Sequence, residues 1–173
     1  MANKRYTDHE KFADLIAANK EYAQGFKYSE LTGSAAKGLA IVTCMDSRIN
    51  PLSVVGMRSG DAKILRNAGA RVTEDVLRTL VLATYLLNVD RILVMPHTDC
   101  RMAQSDESTL HDEIEKQYGV DTRSLEFRVT KDQEAALEID LTRIRAYPFI
   151  REGVSVIGAI YDVKSGAIKF KDF

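Results

Sequence analysis

Two short apolar runs constrain this chain more than any other feature, because each is cut off by residues that packing alone would not select. Gly38-Leu39-Ala40-Ile41-Val42-Thr43 runs into Cys44-Met45-Asp46-Ser47-Arg48, and Arg91-Ile92-Leu93-Val94-Met95 runs through Pro96 into His97-Thr98-Asp99-Cys100. Continuous apolar runs of this length, bounded by turn formers, read as strands buried on both faces, as in parallel sheets. In such sheets, ligand sites form beyond the carboxyl ends of the strands. If these two strands are neighbours, Cys44 meets His97 and Cys100 on rigid supports.

These segments hold both cysteines of the chain and one of its three histidines. Thiolate and imidazole are preferred zinc ligands, and three protein ligands leave a tetrahedral position open to solvent, as in catalytic rather than structural sites. Three other readings compete. Free cysteine is among the most buried residue types, so each cysteine alone reads as core. A closed structural site would need His9 or His111 as fourth ligand, but His9 sits in a capping sequence and His111 on a polar helix face, where capping or solvated roles are expected. Converging cysteines could also oxidise to a disulfide once metal is lost, a failure of the site rather than its purpose.

The surrounding pattern supplies the rest of an α/β fold. Thr7-Asp8-His9-Glu10 has the form of a capping box, and Phe12, Leu15, Ile16, Tyr22 and Phe26 follow at near-helical spacing until Gly25. Lys27 to Lys37 reads as a connector. Ala62 to Arg66 predicts a second strand, and Thr73 caps a helix running to Asn88 that is apolar on most sides, fit for burial against the sheet and against another subunit. Helices are predicted from Asp106 to Tyr118, closed by Gly119, and from Thr130 to Tyr147, with Thr130 and Gln133 as a second capping box and Pro148 as terminator. Val154 to Tyr161 reads as a strand, and Ile168 to Lys171 as an exposed edge strand. The fold class expected is therefore α/β: a mainly parallel β-sheet flanked by helices, with an N-terminal helix and a C-terminal antiparallel edge strand. The chain is read as a single domain, 1–173, with a helical arm and connector over 1–37 and the α/β core over 38–173.

Charge narrows the partners. The 24 basic and 25 acidic residues are interspersed, net −1, which leaves no electrostatic footprint for nucleic acid and no basic face for a membrane. Met1 to Lys11 lacks an apolar leader core, and no run approaches the roughly 18 apolar residues of a membrane span. A cytoplasmic protein with a small ligand is expected, in a compartment that keeps both thiols reduced.

At this point the motifs match a family. Cys44-x-Asp46-x-Arg48 with His97-x-x-Cys100 resembles the zinc site of the β-class carbonic anhydrases. Gly60-Asp61-Ala62, Arg66-Asn67-Ala68-Gly69 and Gly158-Ala159-Ile160-Tyr161-Asp162 before Gly166 look like the family's landmarks in their usual order. The resemblance runs from the first strand to the C-terminus. It implies reversible hydration of CO2 to bicarbonate by attack of zinc-bound hydroxide, one Zn2+ per subunit held by Cys44, His97 and Cys100, and a homodimer or higher even oligomer. By the same analogy Arg48 holds the Asp46 carboxylate, which orients the hydroxide; released by Arg48, Asp46 would itself ligate zinc and close the site. Two thiolates make zinc-bound water less acidic than three imidazoles do, so activity is expected to rise above neutral pH. Asp99 is expected to serve structurally, and Gly69 to let the backbone approach the pocket.

Two positions depart from the resemblance. Pro96 precedes the histidine where a small or flexible residue is usual, and Arg101 follows Cys100 where glycine is common, placing bulk and charge beside the metal loop. Two alternative functions follow: a carbonyl sulfide or carbon disulfide hydrolase on the same scaffold, and a non-catalytic zinc- or anion-binding homologue.

Overall fold

The computed structural model describes residues 9–171. Thr7 and Asp8 of the N-terminal capping sequence, and the side chain of His9, lie outside what is described. The chain divides into two compact units, Met1–Thr32 and Gly33–Phe173. In the first, a 3-10 turn at His9–Phe12 leads into helix α1 (Ala13–Gln24), a stretch with four alanines and neither glycine nor proline, which favours helix. As described, none of its residues is buried, and Leu15, Ile16 and Tyr22 are exposed with Phe12 and Phe26 beside them.

The second unit is built on strands β1 (Leu39–Cys44), β2 (Ala62–Asn67), β3 (Arg91–Met95), β4 (Ser155–Tyr161) and β5 (Ile168–Lys171). Their spatial order is β2-β1-β3-β4-β5, parallel throughout except for the antiparallel pair β4 and β5. The two sequence-defining strands are therefore neighbours at the centre. Their register, Leu39 opposite Arg91 through Thr43 opposite Met95, sends both motif loops out of the same sheet edge. Every residue of β1 is buried, as a mostly apolar central strand requires, and the Thr43 hydroxyl within it donates to the Met95 carbonyl at 2.7 Å.

Helices α2 (Pro51–Val54), α3 (Glu74–Leu86), α4 (Glu107–Tyr118) and α5 (Gln133–Arg145) complete the unit. One sheet face, Ala40, Val42, Ile92 and Val94, packs against Val76, Leu77 and Leu80 of α3 and Leu137, Leu141 and Ile144 of α5. The other carries Leu39, Ile41, Leu93, Met95, Ala159 and Tyr161, with Cys44 and Cys100 in the same cluster. Gly158 of β4 is required by this packing: a Cβ there would stand 2.8 Å from Leu141 Cδ1 and 3.0 Å from Leu137 Cδ2.

The boundaries differ from expectation in informative places. Thr73 does cap α3, and α4 stops at Gly119 as the sequence indicates. The Thr130–Gln133 capping box does not form. Asp132 caps α5 by accepting the Ala135 N–H at 2.9 Å, because the Gln133 amide is spent on a tertiary contact with the His97 carbonyl. That helix ends at Arg145, before Tyr147. Helix α2 was not expected; Asn50 caps it through the Ser53 N–H, with Pro51 in its first turn. The face of α3 bearing Leu82, Tyr85 and Leu86 is exposed, so within one chain the helix buries only one side.

His111 corrects a second expectation. It is buried rather than solvated, its Nδ1 2.9 Å from Thr122 Oγ1 and its ring 5.3 Å from that of Phe127. The segment after α4 folds back over the helix because the Glu107 carboxylate accepts the Phe127 and Val129 N–H groups.

Candidate metal centre

Cys44 ends β1, where the parallel register sets it opposite Asn67, and the Met45 N–H bonds the Asn67 carbonyl at 2.9 Å. The loop that follows is organised by Arg66, whose guanidinium donates to the carbonyl oxygens of Cys44 (2.8 Å), Asp46 (2.6 Å) and Ile49 (3.3 Å). No role for Arg66 was legible in the sequence, although an arginine at the end of a strand beside the motif strand is its signal. The turn after β2 is closed by Asn67, which both donates to and accepts from the Arg71 backbone. Gly69 sits in that turn at φ 77°, and a side chain there would press on Met102 at 3.2 Å, so glycine allows the close approach of the two loops.

Beyond β3, His97 continues the sheet in a bridge to Tyr161. Tyr161 N–H donates to the Pro96 carbonyl and Thr98 N–H to the Tyr161 carbonyl, both at 2.9 Å. From the opposite side, Gln133 Nε2 donates to the His97 carbonyl at 2.9 Å. The helix carrying Gln133 is in turn pinned by a buried ion pair between Arg71 Nε and Asp140 Oδ2 at 2.7 Å. Pro96 is accommodated because its position requires only an acceptor.

These supports bring Cys44, His97 and Cys100 together, with their ligand atoms all within 4.8 Å of one another. Among the described residues no other such group includes His111. The two sulfurs are 4.0 Å apart. A tetrahedral ion bonded to both at ~2.3 Å would separate them by about 3.8 Å. All three side chains are buried, and His97 Nδ1 lies 2.8 Å from the Thr98 carbonyl, which commits that nitrogen and leaves Nε2 for a ligand. Nε2 is buried without a hydrogen-bond partner among the described residues. Burying a polar atom unpaired costs about 1–3 kcal/mol, so this imidazole is built for a bond that the protein alone does not supply. The donor set fits a thiophilic divalent ion.

Charge within the cluster agrees. The neighbouring Cys100 thiol and the His97 ring lower the Cys44 pKa, despite burial. Cys100 is pushed up by the Cys44 thiolate beside it and by burial. For His97, burial opposes protonation, but the Cys44 thiolate, the Thr98 carbonyl and the Asp46 carboxylate together outweigh it and the net shift is upward.

Asp46 stands at the edge of this cluster, its Oδ2 3.8 Å from His97 Nε2. Arg48 grips it with Nε on Oδ1 at 3.0 Å and Nη2 on Oδ2 at 2.8 Å, and its backbone N–H adds a third bond at 2.9 Å. Hydrogen bonds from Arg48 hold the Asp46 carboxyl well below the usual carboxylate range, so it is an anion at any physiological pH. Asp99 does not cap the following turn. Its carboxylate and carbonyl both face Arg48. Arg101 pairs with Glu113 of α4 and is committed there rather than to the metal loop.

Comparison with known proteins agrees with this geometry. The family model described as carbonic anhydrase matches residues 39–168. β-Carbonic anhydrase 1 of Mycobacterium tuberculosis is 35% identical over 156 residues, covering 90% of this chain and 94% of that protein. The crystal structure of carbonic anhydrase from Streptococcus mutans superposes with a TM-score of 0.86 at 35% identity, covering 93% of this chain and 97% of that one. A carbon disulfide hydrolase of Acidithiobacillus thiooxidans is also similar, 24% identical over 151 residues, covering 76% of this chain and 75% of that protein.

Proposed function

Because this chain belongs to the β-class carbonic anhydrase family, we propose that it catalyses the zinc-dependent, reversible hydration of CO2 to bicarbonate and a proton, with Cys44, His97 and Cys100 as metal ligands and Asp46 and Arg48 as the catalytic pair. The observation that carries this reading is the unpartnered, buried His97 Nε2, ringed by two sulfurs and faced by an ionised carboxylate at 3.8 Å.

Zinc bound there would act as a Lewis acid and make a solvent ligand acidic enough to ionise near neutral pH. The chain supplies the rest. Cys44 and Cys100 would hold the ion as thiolates, and their negative charge would set the solvent pKa higher than neutral ligands do. Asp46 accepts a hydrogen bond from the attacking group and so turns its lone pair toward the substrate carbon. Arg48, bonded to both carboxylate oxygens, would keep Asp46 from becoming a ligand itself.

A second reading, hydrolysis of carbon disulfide, is supported by the similarity to the Acidithiobacillus thiooxidans hydrolase. Both substrates are linear and open to the same attack, so the two readings differ in pocket access. A homodimer or higher even oligomer fits the exposed apolar residues of α1 and of α3. A cytoplasmic setting fits two free cysteines in one metal-competent cluster. No described helix is long and apolar enough to cross a membrane.

The deciding experiment is metal analysis with stopped-flow CO2 hydration of wild type and Cys44→Ser, run beside carbon disulfide. One zinc per chain, turnover of CO2 that rises above neutral pH, and loss of both in Cys44→Ser are expected. Protein purified under reducing conditions without metal would end the proposal, and faster turnover of carbon disulfide would select the second reading.

A further inference from the structure

We infer that Asp99 is a positioning residue: it anchors Arg48 from the far side of the guanidinium and thereby fixes the Asp46 carboxylate beside the metal site. The inference rests on the proposed reaction for its kinetic consequence. Its geometry is independent of the substrate.

Arg48 has five N–H donors in a rigid plane. One edge, Nε and Nη2, is occupied by Asp46. The other edge is closed by a single residue: Nη1 donates to Asp99 Oδ2 at 2.8 Å and Nη2 to the Asp99 carbonyl at 3.1 Å. Both acceptors reach the same guanidinium because Asp99 adopts a left-handed backbone, φ 55°, which aspartate tolerates better than most residues. Gln104 Nε2 steadies the other carboxylate oxygen at 3.3 Å.

The consequence is mechanical. Asp46 and Arg48 lie on one loop, two residues apart, and 45% of the Arg48 side chain is exposed, so by themselves they form a local pair free to move as a unit. Asp99 belongs to the other loop, between His97 and Cys100. Through it the guanidinium is tied to the segment that carries two of the three metal-binding side chains. Hence the distance from the Asp46 carboxylate to the metal site is set by contacts across both loops.

The test uses zinc-loaded protein and its cobalt-substituted form. In Asp99→Gly the left-handed backbone and the carbonyl contact are kept and only the carboxylate is removed. Zinc content is expected to stay at one per chain, KM for CO2 to change less than about twofold, and kcat to fall about tenfold. Asp99→Asn, which keeps an acceptor and tolerates the same φ, is expected to recover part of that loss. In an Arg48→Ala background Asp99→Gly is expected to cost nothing further, the non-additivity of residues acting through one another. The visible bands of the cobalt protein are expected to shift alike in Asp99→Gly and Arg48→Ala. Unchanged bands and kcat in Asp99→Gly, or a full extra loss on top of Arg48→Ala, would overturn the inference. Shifted bands in both variants support it even if wild-type protein fails to hydrate CO2, a failure that would count against the proposed reaction alone.

Discussion

The floor of the metal centre and its rim are made differently. Cys44, His97 and Cys100 are buried at or just beyond the ends of adjacent central strands, the His97 segment held by backbone bonds from β4 and a side chain from α5 and Cys44 by Arg66. Asp46, Arg48 and Asp99 lie on the loops above, partly exposed and held almost wholly by each other. A buried donor set without alternative partners makes metal binding nearly all-or-none. On the proposed mechanism an exposed ionic chain, worth little to stability, would set orientation and therefore rate.

The sharpest way to break this contrast is to remove a floor ligand. Cys44→Ser is expected to lose zinc and more than about a thousandfold in CO2 hydration, since the metal's contribution amounts to several kcal/mol. Metal analysis and stopped-flow rates read both, and a variant that keeps zinc and turnover would show that the floor is not the metal site.

Acid should attack the floor as well. Below the raised pKa of His97, metal-free protein holds a proton on the imidazole and another on Cys100, whose pKa is also raised, while Cys44 is already ionised. Zinc must expel a thiol proton and, below the raised His97 pKa, the imidazole proton as well, so its apparent affinity rises with pH and falls by about tenfold to a hundredfold for each pH unit lost. Competition with a chelator of known affinity across pH 5 to 7 measures the slope; a slope near zero would mean that the site binds without releasing protons.

At the rim, Asp46→Asn is expected to keep zinc and lose about a hundredfold in kcat, because the neutral amide turns one face toward the attacking group as a donor. If metal leaves together with activity, floor and rim are not separable. Gln133→Leu probes the support instead: with the His97 carbonyl left without its donor, zinc affinity should drop about tenfold while the pH dependence of turnover is preserved. The smallest effect is expected from Arg101→Ala, within about twofold in rate, since an exposed pair with Glu113 contributes little. A larger change would return Arg101 to the pocket.

Much of the floor was legible before any coordinates. Apolar runs ending in cysteine and histidine specify buried strands with ligands at their ends, and Thr73, Asp106 and Gly119 mark helix ends by local chemistry alone. The start of α5 was not legible, because Gln133, which suits a capping box, is drawn to the His97 carbonyl instead. His111 looked solvated because its neighbours on α4 are polar, and only the return of residues 120–129 buries it. Arg66 showed no role, and Asp99 only an unspecified structural one, for the same reason: their partners are backbone carbonyls and a guanidinium on other loops.

Sequence by itself determined the candidate ligand types and the strands that bear them, and its family resemblance implied the pairing of Asp46 with Arg48, since each rests on residues close together along the chain. Tertiary structure decided that β1 and β3 are neighbours, that Gln133 and Arg66 brace the two loops, and that Asp99 reaches Arg48. Those contacts join residues far apart in the chain, and their geometry follows from strand order and register, which no local pattern encodes.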